Sequence, residues 1–201
     1  MLQGPRLRRS GFTLVELVVT LTVLSLMLAA AVPPMARWAA NAKLRAVAED
    51  LQSGLRLAQA EAIRSNRQAV FALTNATPAI DATPAANGNS WFARLLTLLA
   101  DDTASDAFYL RGSSQARQHG MSIEGPAVLC FNAIGRPVSN TSTGLGADCT
   151  APASATAPTW YKLTSPRADR RLWIAVSLGG QVRMCDPDKT LSTSTPDGCP
   201  S

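Results

Sequence analysis

The chain has 201 residues, 46% apolar and 16% charged; it can bury a core and is too apolar to be disordered by composition. Aromatics make up 5% and there is one histidine, which argues against a base-stacking platform and against most zinc sites. The net charge of +5 is misleading. Arg6, Arg8 and Arg9 carry three of those charges, and from Phe12 onward 16 Lys and Arg face 14 Asp and Glu.

Residues 1–11 form a short basic leader without acids. Residues 12–32 follow, 21 residues with Glu16 as their one charge. As a helix this segment would be about 30 Å long, one hydrocarbon core. The upstream arginines place the N-terminus in the cytoplasm. Three readings compete. One is a secretory signal cleaved at Ala29-Ala30-Ala31. Another is a plain membrane anchor. The third gives Glu16 a purpose. A carboxylate in an apolar helix costs about 2.5–3.5 kcal/mol on insertion. It becomes useful if cleavage before Phe12 frees an amine with which the Glu16 of a neighbouring subunit pairs. Gly11-Phe12-Thr13-Leu14-Val15-Glu16 resembles the prepilin processing site of type IV pilins and type II secretion pseudopilins. The resemblance implies cleavage between Gly11 and Phe12 by prepilin peptidase and N-methylation of Phe12. It also implies docking of the subunit into a filament through Glu16, and a helix kink at Pro33, to which Pro34 adds a second break.

Further on, Leu44, Val47, Ala48, Leu51, Leu55, Ala58 and Ala62 form one apolar stripe at helical spacing. It predicts an amphipathic continuation over 33–66, made to pack on a sheet. Gly54 weakens that helix by about 1 kcal/mol relative to Ala. Strands are expected at Gln68–Leu73, at the start of Trp91–Leu99, and at Phe108–Arg111, Met121–Ile123 and Ala127–Ala133. Tyr161–Thr164 and Leu172–Ser177 should pair, with Gly179-Gly180 turning the chain into Gln181–Cys185. Residues 74–90 and 139–159 read as long loops, and the tail after Asp186 as turns.

Phe131-Asn132-Ala133-Ile134-Gly135-Arg136-Pro137 and the spacing from Leu172 to Cys185 are similar to elements of the GspH/FimT family. That resemblance implies an α+β, pilin-like fold: a long N-terminal helix, transmembrane then amphipathic, packed on a small antiparallel β-sandwich. The expected organisation is a cleaved leader at 1–11, a transmembrane and filament-core helix at 12–32, its continuation at 33–66 and a periplasmic β-rich domain at 67–201. The implied role is a minor subunit of a type IV pilus or type II secretion pseudopilus. It would sit in the inner membrane as a single-pass protein, with its C-terminal domain periplasmic, until assembly. The implied partners are prepilin peptidase, other minor pilins or pseudopilins, the inner-membrane assembly platform and, before assembly, membrane lipid.

Cys130, Cys149, Cys185 and Cys199 all follow the apolar segment, and an exported domain meets an oxidising compartment. Of the three connectivities, Cys130–Cys149 and Cys185–Cys199 are preferred because each closes a local, turn-rich loop. His119 lies in a polar run, and Asp186, Asp188 and Asp197 lack the spacing of a calcium loop. Neither an enzyme nor a metal or cofactor is expected. The alternative function is DNA uptake, because some FimT-like pilins bind DNA through a basic G-R-x-R element. Here Gly180-Gln181-Val182-Arg183 keeps Arg183 and has Gln181 in place of the first arginine. Arg167, Arg170, Arg171 and Lys189 are the candidates to compensate, opposed by Asp169, Asp186 and Asp188, through phosphate contacts without base specificity.

Overall fold

The computed structural model describes residues 12–97 and 108–200, with the side chains of 30–34 also left out. The leader, Gly11 and the end of the Trp91–Leu99 segment lie outside the described residues. The chain divides into two compact units, Met1–Trp38 and Ala39–Ser201. One helix, α1 (Leu14–Ser65), contributes to both. Its assignment continues through Pro33 and Pro34, so the second break expected at Pro34 does not end it. Proline's fixed φ suits a helix; what two prolines remove is two adjacent backbone donors. At its C-terminus Asn66 adopts φ 53° and Arg67 N–H donates to Ala62 O at 3.2 Å, a left-handed termination that asparagine tolerates.

In the second unit α1 is followed by β1 (Ala69–Thr74), β2 (Ser90–Leu95), β3 (Phe108–Ser113), the short helix α2 (Gln115–Gln118), β4 (Ser122–Glu124), β5 (Val128–Phe131) and β6 (Pro137–Val138). Then come β7 (Thr159–Thr164), β8 (Leu172–Val176), β9 (Val182–Thr190) and β10 (Gly198–Cys199). One five-stranded sheet runs β3-β2-β1-β5-β6 and the other β10-β9-β8-β7-β4. Among the described residues every strand pairing is antiparallel except β10 on β9, which is parallel. The expected antiparallel sandwich is present, with this one parallel pair at an edge. The expected tail of turns is corrected: β9 extends to Thr190, and the tail returns to add a strand.

The helical stripe is buried from Leu44 to Ala62, and with Phe71, Leu73, Tyr161, Ile174 and residues of both sheets it forms one core. Strand β1 is buried at all six positions. Its side chains alternate between that core and a second cluster on the opposite face, where Val70 and Ala72 meet Phe92, Val128 and the Cys130–Cys149 pair. A strand covered on both faces reads as a continuous apolar run, which is what Ala69–Leu73 is. The second face is covered by the loops at 75–89 and 139–158. Arg94 ties them together, donating to Ile80 O and Thr143 O at 3.0 Å each. Burial pushes its guanidinium below the usual arginine range.

Helix and sheet are also joined by polar contacts. Asp50, on α1, accepts hydrogen bonds from Trp91 Nε1 and Arg111 Nη2, both at 3.0 Å. Trp91 in turn lies over Gly54, where an added Cβ would stand 2.5 Å from ring atom Cη2. Gly54→Ala therefore gains about 1 kcal/mol in helix propensity and meets an overpacking cost of about 1–3 kcal/mol. The expected result is a net loss of about 0–2 kcal/mol together with an altered near-ultraviolet tryptophan circular dichroism signal. An unchanged spectrum and midpoint would show that the ring does not bear on this glycine.

Candidate functional site

The N-terminal segment begins with a cap. Thr13 Oγ1 accepts the Glu16 backbone N–H at 3.2 Å, and Thr13 O accepts from Leu17 N–H at 3.1 Å. This is half of a capping box, with Glu16 three residues past the cap. The carboxylate thus stands in the first turn, where the unsatisfied amides of the helix favour negative charge. Phe12, Leu14, Val15, Leu17 and the apolar residues that follow are exposed. The hydroxyls among them are spent internally. Thr20, Thr22 and Ser25 donate to the carbonyls of Leu17, Val19 and Thr22 at 2.8–2.9 Å. A helix that satisfies its own polar groups presents an apolar surface despite its threonines. Among the described residues no helix is long and apolar enough to cross a membrane. The 12–32 segment reaches its full length only with residues 30–32, whose side chains are not described.

The two C-terminal motifs meet at one place on α1. In the first, Asn132 Oδ1 accepts the N–H groups of Ile134 and Arg136 at 3.1 and 2.9 Å, and Gly135 takes φ 75°. In the second, the β8–β9 turn closes through Ser177 and Gln181, with Gly180 at φ 87°. Gln59 Nε2 donates to both Gly135 O and Gly180 O at 2.7 Å. A Cβ on Gly180 would stand 2.1 Å from Gly135 O, so the close approach and the left-handed backbone both require glycine. One turn from each sheet is thereby pinned to the helix. Arg56 Nη2 extends the joint by donating to Val182 O at 3.1 Å.

Two of the candidate DNA-binding arginines contact the C-terminal part of the chain. Arg171 pairs with Asp188. Arg183 donates to Pro196 O. Lys189 bonds Asp197 at 2.5 Å, and that hydrogen bond, with the charge of Arg170 adding to it, holds the Asp197 carboxyl below the usual range. Arg167 is exposed. A nucleic-acid phosphate at Arg171 or Arg183 would have to displace these partners. Among the described residues no group of three His, Cys, Asp or Glu is placed to hold a metal ion. His119 is exposed at the end of α2.

The cysteines are joined as Cys130–Cys149 and Cys185–Cys199, with Cα separations of 5.4 and 5.0 Å. The first holds the 139–158 loop against the outer face of β5. The second holds β10 to β9. Two side chains that fasten the sheets to α1 escaped the sequence reading. Gln59 carries no pattern that marks it. Asp50 had a faint signal: an acid adjoining the buried stripe, four residues before a helical glycine.

Residues 6–32 match the family model of the prokaryotic N-terminal methylation motif, and the chain carries that motif on the segment just described. No curated protein matches the sequence. Two crystal forms of the type IV minor pilin FimU of Pseudomonas aeruginosa are similar in structure at 16% identity. The TM-scores are 0.48 and 0.44, covering 79% and 77% of this chain and 96% and 98% of theirs.

Proposed function

We propose that the chain is a minor pilin or pseudopilin: a structural subunit of a type IV pilus or type II secretion pseudopilus, assembled through its N-terminal helix. The observation that carries this reading is the methylation motif over residues 6–32, whose Thr13 and Glu16 open α1. In this reading prepilin peptidase cuts between Gly11 and Phe12, and Phe12 is N-methylated. Until assembly residues 12–32 hold the chain in the inner membrane, with the N-terminus in the cytoplasm and the β-rich unit in the periplasm. Glu16 then pairs with the N-terminal amine of an adjacent minor subunit on the assembly platform.

N-terminal peptide mass spectrometry of the chain from a host with and without prepilin peptidase tests this. The expected mature terminus is N-methylated Phe12, lost when the peptidase is absent. Glu16→Ala should be cleaved normally and fail to appear in sheared filaments. A mature chain starting near Val32 in both hosts would overturn the reading in favour of a secretory signal.

A further inference from the structure

Beyond the apolar segment, the first unit ends in Met35, Arg37 and Trp38, all exposed. Trp38 presents 74% and Met35 67% of their surface. Both lie on one helix face, three residues apart. No acid occurs between Glu16 and Glu49, whereas Arg37, Lys43 and Arg45 fall in that interval. An exposed tryptophan on a basic stretch of helix has two chemical needs: an apolar contact for its ring and a hydrogen-bond acceptor for its indole N–H.

We infer that Met35, Arg37 and Trp38 form an interfacial anchor seated in the glycerol and phosphate layer of a phospholipid bilayer. The inference rests on the membrane reading of residues 12–32 made above. Trp38 follows Val32 by six residues, about 9 Å along a helix, which places it in the headgroup layer just outside a core of about 30 Å. Tryptophan is enriched at that depth because its ring is amphipathic. Met35 reaches back toward the acyl chains. Arg37 directs its charge to lipid phosphates while its methylenes lie along apolar surface. Arg37, next to Trp38 and without an acid near it in sequence, supplies the charge that meets lipid phosphates, while Arg45 is spent on Glu49; the anchor is continuous with the exposed apolar face before it.

The test uses the full chain and its Trp38→Phe variant in phosphatidylethanolamine–phosphatidylglycerol vesicles, with bromine quenchers at shallow or deep positions of the acyl chain. Flotation of the vesicles reports membrane binding separately. With four tryptophans in the chain, up to about a quarter of the emission should be quenched. Quenching should be strongest with the shallow bromines and disappear in Trp38→Phe, while both proteins float. If both float and both are quenched alike, or the deep bromines quench Trp38 most strongly, the anchor is wrong and the membrane reading stands. If neither floats, both readings fall. Because Trp38 is exposed, the variant removes no core packing.

Discussion

Asp50→Ala is expected to lower the free energy of unfolding by about 2–4 kcal/mol, the largest effect of any single polar substitution in the β-rich unit. The carboxylate is 7% exposed and receives two donors from different strands, Trp91 on β2 and Arg111 on β3. Without it the indole N–H is buried and unpaired. Arg111 is 52% exposed and recovers part of its solvation, which keeps the loss below that of a fully buried pair. Asp50→Asn retains an oxygen for one donor and removes the charge, so about half the loss is expected. Urea titration followed by tryptophan fluorescence measures both. Equal midpoints for wild type and Asp50→Ala would mean that packing of Trp91 on Gly54, and not the hydrogen bonds, secures the helix to this sheet.

Replacing Cys130 and Cys149 together by serine should cost about 3 kcal/mol or more. The bond spans 19 residues, and a closed loop of that size contributes about 3 kcal/mol through the unfolded chain. A second contribution comes from what it covers. Val70, Ala72, Phe92 and Val128 form a cluster whose outer wall is the 139–158 loop, so releasing Cys149 exposes apolar surface at about 25 cal/mol per Å². Limited proteolysis separates the two. If the loop acts as a cover, cleavage within 139–148 should appear in the double variant under conditions where wild type is intact. A lowered midpoint with an unchanged cleavage pattern would leave only the effect on the unfolded chain.

Much of this architecture was legible because it depends on local period. The stripe from Leu44 to Ala62 needs only the helical repeat, and the strand pairs around Gly179-Gly180 need only alternation and a turn. Strand β1 was legible as apolar. What covers its second face was not, because residues 75–89 and 139–158 are ordinary polar loops until Arg94 and a disulfide bind them. The parallel return of β10 depends on a tail that has no strand pattern of its own; two residues pair there because Cys199 is tied to Cys185. At the candidate site, Thr13 and Glu16 belong to a local signal and were readable at once. The meeting of Gly135 and Gly180 under Gln59 joins residues 121 positions apart at its widest, and no local pattern reports such a contact.

The two disulfides also set how far this chain can be drawn out. Tension applied along a backbone is carried past a covalent loop, which removes the residues of that loop from the path. The bonds bypass 19 and 14 residue steps, roughly 110 Å of contour at about 3.4 Å per residue. Even after its sheets part, the oxidised chain is therefore shorter than the reduced one by about 100 Å, the bypassed contour less the 5.4 and 5.0 Å across the bonds. The withheld segments run from Cys130 to Cys149 and from Cys185 to Cys199, so under tension the 139–148 part of the loop stays with β5 and the returning tail stays with β9.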